Sequence, residues 1–218
     1  MRTIVYIDGF NLYYGALKVR WPNLKWLDLR ALCVSLLSGR QIVRIRYFTA
    51  LVKPPPHDPK TRERQEIYLR ALRTIPQIEI HFGWFVQREG LRYQLPLAYP
   101  NNRPNGPPQS VRVQLPEEKG SDVNLASYLL LDCFKKACDE AVVISNDADL
   151  KTPIEIATRE FGNTVGVINP HPKSWRSVDL AGVASWSYQT INRTHLARSQ
   201  FPLTLTDARG TITKPAAW

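Results

Sequence analysis

Short, uninterrupted apolar runs constrain this chain more than any other feature. Residues 3–7, 141–145 and 164–168 are strand-length, rich in β-branched side chains, and each stops at a polar turn residue. A strand that is apolar on both faces needs cover on both faces, which a parallel sheet between two helical layers supplies. Segments of helical period lie between and beyond these runs, at residues 28–37, 61–73, 121–138 and 150–161. Shorter helices are expected at 11–18 and 177–184, and further strands at 41–52 and 77–86. The alternation predicts an α/β fold, a three-layer α/β/α sandwich with a mostly parallel central sheet. In such a sheet, ligands gather where the strands present their carboxyl ends, near the point where strand order reverses.

From residue 87 to 118 the pattern changes. Prolines crowd together and too few apolar residues remain for a core, so this stretch reads as an inserted hairpin-like excursion. The expected organisation is one domain over residues 1–190, with the Pro-rich insertion at about 87–118, followed by a tail at 191–218. The tail reads as irregular from Gln200, with a weak hairpin at 204–213. No stretch approaches the ~18 apolar residues of a membrane span. The first apolar run meets Asp8 too early for a signal peptide. Three cysteines, at positions 33, 133 and 138, do not form a disulfide framework. The expectation is a cytoplasmic protein without a membrane partner.

Charge narrows the partners. There are 29 Lys and Arg against 19 Asp and Glu, a net +10, and a basic balance of this size favours polyanions. Yet carboxylates concentrate in residues 122–160, where acids outnumber cations. Asp8 directly follows the first apolar run, Asp147 and Asp149 follow the run at 141–145, and Asp122 stands in the first turn of the strongest helix. If the runs at 3–7 and 141–145 are adjacent parallel strands, these carboxylates meet at one sheet edge. Each also has an ordinary role open to it: Asp8 in a turn, Asp122 at a helix N-terminus, Asp149 as an N-cap. Clustered carboxylates stay ionised only beside a cation, and an all-oxygen set selects Mg²⁺ or Mn²⁺. The four histidines are scattered and offer no zinc spacing. A hard cation beside a basic surface suits phosphoryl transfer.

Three motifs in order then resemble a known family. Ile7-Asp8-Gly9-Phe10-Asn11-Leu12, Lys119-Gly120-Ser121-Asp122-Val123 and Ser145-Asn146-Asp147-Ala148-Asp149-Leu150 are similar to the D-G-x-N, K-G-x-D-V and S-G-D-x-D signatures of the NYN-domain family of PIN-like ribonucleases. The resemblance implies a PIN-like fold and a Mg²⁺- or Mn²⁺-dependent ribonuclease that cuts within RNA, single-stranded or structured. It implies Asp8, Asp122, Asp147 and Asp149 as the catalytic, metal-binding set. Asn11, Lys119, Ser145 and Asn146 become orienting or phosphate-binding neighbours. Asn146 departs from the glycine usual there. Lys173, Trp175 and Arg176 follow the last core strand and pair cations with a stacking aromatic, as a nucleic-acid contact would. A catalytically weak RNA-binding or regulatory module, a phosphatase on small phosphoesters, and a homodimer built on the excursion remain open. Nucleotide-cofactor and serine-hydrolase readings lack their motifs.

Overall fold

A computed structural model describes residues 1–99, 106–188 and 190–218. Seven strands form one sheet: β1 (Arg2–Asp8), β2 (Gln41–Ala50), β3 (Ile78–Tyr93), β4 (Ser110–Lys119), β5 (Glu140–Ile144), β6 (Thr164–Ile168) and β7 (Trp186–Tyr188). Their order is β4-β3-β2-β1-β5-β6-β7, with every pair parallel except β3 and β4. The chain builds outward from β1 on one side and then returns to lay β5 on the other. The reversal of strand order therefore falls between β1 and β5, with Ile7 opposite Ile144 at the carboxyl end.

β1 alternates its side chains between two cores. Val5 and Ile7 pack into one with Leu29, Leu32, Leu69 and Leu72; Ile4 and Tyr6 pack into the other with Leu125, Leu129 and Ile154. The first layer holds α2 (Leu29–Leu36), α3 (Thr61–Leu72) and α7 (Arg193–Arg198). The second holds α4 (Ser121–Phe134), α5 (Lys151–Arg159) and α6 (Val178–Val183). This is the sandwich expected from the alternation. α1 (Gly9–Leu12) follows β1 without a break and continues as a π-helical turn, Tyr13–Leu17.

One sequence expectation is shifted, and the expected hairpins of the excursion and of residues 204–213 are both present. The first helix begins two residues early, because Asp8 rather than Asn11 caps it: the Asp8 carboxylate accepts the Asn11 N–H. The excursion is a two-stranded ribbon in which β3 leaves its pairing with β2 at Gly83 and pairs with β4 from Trp84 to Tyr93. Residues 100–105, with Asn101, Asn102, Arg103 and Asn105, lie outside the described residues. The C-terminal residues carry α7, β8 (Thr204–Asp207) and β9 (Gly210–Thr213), and bury Leu196, Phe201 and Ile212 in the first core.

Several arginines in and beside β2 and in α3 are paired with carboxylates. Arg46 is buried and donates to both oxygens of buried Asp132, at 2.7 and 3.0 Å, and it also pairs with Glu79. Arg40 pairs with Glu140, Arg44 with Glu79, Arg62 with Glu66, Arg64 with Asp58, and Arg70 with Asp207. The Asp132 carboxylate also accepts the Tyr6 hydroxyl at 2.8 Å, joining α4 to both β1 and β2. Removing one partner of such a pair leaves the other charged and dry. Asp132→Ala is expected to lower the unfolding free energy by about 3–5 kcal/mol in urea titrations. A loss under ~1 kcal/mol would show that water replaces the carboxylate and that the pair does not hold the helix.

Candidate functional site

The site grows from the carboxyl end of β1. Asp8 is buried, and its two oxygens are committed differently: Oδ1 accepts the Asn11 N–H at 2.9 Å and Oδ2 accepts the Ser145 hydroxyl at 2.9 Å. Ser145 Oγ in turn accepts the Asp147 N–H at 3.1 Å, and Asp147 Oδ1 accepts the Asp149 N–H at 3.0 Å. One relay of short polar side chains thus ties the end of β1 to the turn after β5. Asn11 closes it from above, its Oδ1 accepting the Asn146 N–H at 2.9 Å and the His171 Nε2–H at 3.1 Å. Gly9 is forced at its position, because a Cβ there would stand 2.7 Å from both the Phe48 carbonyl and the Tyr47 hydroxyl.

Asp122 reaches the same edge from α4. β4 ends at Lys119, and Gly120, at φ +93°, turns the chain straight into the helix. The Trp84 ring lies against Gly120 so closely that a Cβ would stand 2.7 Å from it. Burial, then the charges of Asp147, Glu118 and Asp149, push the Asp122 carboxyl up to about 6. Burial above all, with the Asp122 and Asp147 charges adding and the Asn11 and Ser145 hydrogen bonds opposing, pushes the Asp8 carboxyl up to about 7. The acids named from sequence therefore feel one another electrostatically, as neighbours at one edge must.

Other sequence expectations meet different surroundings. The Lys119 ammonium binds Glu117, on its own strand, rather than an aspartate of the cluster. Glu118, which no motif singled out, faces the site: its Oε1 accepts the Ser121 N–H and hydroxyl at 3.2 and 2.7 Å, and its charge acts on Asp122. A cleft of about 320 Å³ lies between Glu118, Asp122 and Asp149. His171 was also missed, since a lone histidine between prolines carries no local signal. Asn146 does not need the left-handed backbone that its glycine-replacing position invited. Lys136 is the one non-glycine with positive φ among the described residues. Instead the Asn146 carboxamide donates to the Trp175 carbonyl at 2.7 Å and accepts the Ser177 N–H at 2.7 Å. It pins the segment carrying Lys173, Trp175 and Arg176 beside the acids. Trp175 is exposed and stacks on the His171 ring at 6.0 Å.

Among the described residues, no three His, Cys, Asp or Glu side chains converge closely enough to hold one ion between them. The donor set is nonetheless oxygen only. Mg²⁺ is commonly held through one or two carboxylates, with water and phosphate completing its shell, and paired acids such as Asp8 and Asp122 fit that pattern.

The raised Asp8 carboxyl has a thermodynamic signature. The unfolded group ionises near 3.8, whereas the folded one keeps its proton to about 7. Between these values the native state binds more protons, so stability falls as pH rises through the window. In EDTA, the wild-type melting temperature is expected to drop more between pH 5 and 8 than that of Asp8→Asn, which keeps the helix cap. Parallel curves would mean that Asp8 is ionised throughout.

Similarities to known proteins agree with this geometry in part. The NYN domain family model matches residues 2–182. The chain is 30% identical to 6-hydroxy-3-succinoylpyridine 3-monooxygenase HspA of Pseudomonas putida, over 100% of this chain and 75% of that one. A crystal structure of a protein of unknown function from Vibrio parahaemolyticus is similar with a TM-score of 0.54 at 14% identity, over 88% of this chain and 93% of that one. At that identity the likeness is one of fold. Among the described residues, no helix is long and apolar enough to cross a membrane.

Proposed function

This chain belongs to the NYN-domain family, and from that premise we propose that it is a divalent-metal-dependent ribonuclease that cuts within RNA strands. What supports the reading is that Asp8, Asp122 and Asp147, near the carboxyl ends of β1 and β5, act on one another's charge, with Asp149 acting on Asp122. Asp8 and Asp122, with Asp147 and Asp149 beside them, would hold Mg²⁺ or Mn²⁺. When bound, such an ion neutralises phosphate charge and lowers the pKa of water.

The chain's own residues have distinct tasks. Ser145 and Asn11 fix the Asp8 carboxylate, leaving it no freedom to swing away. Asp147 and Asp149 are held in sequence by the backbone N–H groups that follow Ser145. Trp175 offers an exposed stacking face, and Lys173 and Arg176 beside it bring cations for phosphate. Lys119 would have to leave Glu117 to meet a substrate phosphate.

One observation favours a second reading. No three ligands converge on one point among the described residues, which an RNA-binding module without turnover would tolerate. The test is cleavage of end-labelled single-stranded RNA with Mn²⁺, Mg²⁺ or EDTA. Asp8→Asn and Asp122→Asn are each expected to slow metal-dependent cleavage at least roughly 100-fold while leaving RNA binding in EDTA intact. Binding without cleavage under every metal would support the second reading. A further arm addresses the activity named for the Pseudomonas relative. Oxygenation of 6-hydroxy-3-succinoylpyridine, and no RNA cleavage, would overturn the nuclease reading.

A further inference from the structure

On the side of the sheet where Leu12, Tyr47 and Tyr68 belong to the first core lies a cavity of about 370 Å³ that the proposed hydrolysis does not use. It opens against Gly9 and Phe10, the two residues that follow Asp8 in the chain. Its walls are unusually aromatic, with Phe10, Tyr13, Tyr14, Tyr47, Phe85 and Trp218 all contributing. Tyr14 is exposed, and its ring runs nearly parallel to Phe10 at 6.4 Å. Tyr47 links this cavity to the acids, since its hydroxyl lies against Gly9.

Charge gives the second, independent observation. The arginines of this fold are largely paired with carboxylates, as described above. Lys18, Lys25, Lys53 and Arg64 line the cavity against a single lining carboxylate, Asp58, which pairs with Arg64; Lys18 lies over the Tyr14 ring and Lys25 over the Tyr13 ring. Aromatic walls call for a planar ring, and an excess of cations over carboxylates in the lining calls for an anion. A ligand that is both is a nucleotide or an aromatic carboxylate. The position decides between them. A base seated here has its sugar-phosphate at the backbone of Gly9, beside Asp8, so the strand continues across the acid edge.

We propose that this cavity is a base-binding subsite, taking one unpaired nucleotide of the RNA strand whose phosphodiester lies at the aspartate edge. The inference rests on the nuclease reading for the identity of the strand. It deepens that reading by position: the nucleotide seated here must be unpaired, because a base held in a duplex is stacked and paired and cannot enter.

The test is binding in EDTA, where cleavage plays no part. The probes are a fluorescein-labelled single-stranded RNA octamer and its duplex. Competitors are uridine 5′-monophosphate and pyridine-3-carboxylate. Tyr14→Ala and Lys53→Ala both replace exposed side chains, and thermal unfolding checks that each variant is folded. Tyr14→Ala is expected to weaken the single strand roughly 5- to 100-fold, the range for loss of one stacked base. Lys53→Ala is expected to lower the salt slope of binding by about 1. The duplex should bind weakly and equally to all three proteins, and the monophosphate should displace the single strand. Wild-type affinity for the single strand in both variants would overturn the proposal. So would displacement of nothing by the monophosphate while pyridine-3-carboxylate binds and is lost in Tyr14→Ala. Failure of the nuclease reading looks different: no metal restores cleavage, yet the Tyr14→Ala binding loss persists.

Discussion

The buried pair between Arg46 and Asp132 is the contact on which the placement of the acids depends. Asp132 sits near the end of α4 and Asp122 near its start, roughly 15 Å apart along the helix. Apolar packing alone would let a helix slide on a sheet by small steps at little cost. A guanidinium that grips both carboxylate oxygens, with the Tyr6 hydroxyl on the same carboxylate, has one satisfactory position. Desolvating two charges is expensive, so the pair is a poor source of net stability. Its use here is registry: it fixes how far along β1 and β2 the helix lies, and so where its first turn meets the end of β1.

From that fixed edge the two faces of the sheet serve different chemistry. Residue parity sends Ile4 and Tyr6 toward α4 and α5, while Val5 and Ile7 point to the layer of α2 and α3. The acids collect on the first side and the aromatic cavity on the second, with Gly9 at the boundary. A side chain at that position would collide with Tyr47 and with the Phe48 carbonyl. The glycine in the D-G pair is thus required by crowding from β2, a reason that the local sequence does not display.

Much of the frame was legible because it depends on local pattern. The all-apolar runs around Val5, Val142 and Val167 could be satisfied only by a sheet covered on both faces, and the ordered motifs fixed which strand ends carry acids. What escaped depends on pairing across long stretches of chain. Nothing near Arg46 in the sequence marks its carboxylate partner 86 residues away. Glu118 and His171 join the site only through the ribbon's return and the loop after β6. The C-terminal residues looked irregular because their apolar positions are sparse, yet Leu196, Phe201 and Ile212 fill gaps left by other elements. Asn146 stood out only as a departure from glycine, whereas its carboxamide holds the segment that carries Trp175.

The ribbon has a consequence for how such a chain can change length. β4 passes into α4 through the single residue Gly120, with no slack between the last paired residue, Lys119, and the helix that bears Asp122. One residue added within β4 alone would slip its register against β3 and turn each following side chain to the other face. Trp84 would then no longer meet Gly120, and the helix start would be displaced. Additions near residues 100–105, or matched additions to both strands, leave the junction untouched. Relatives that differ in size should therefore carry the difference at the far end of the ribbon or in even, paired steps along it, while the stretch around Lys119 and Gly120 keeps its length.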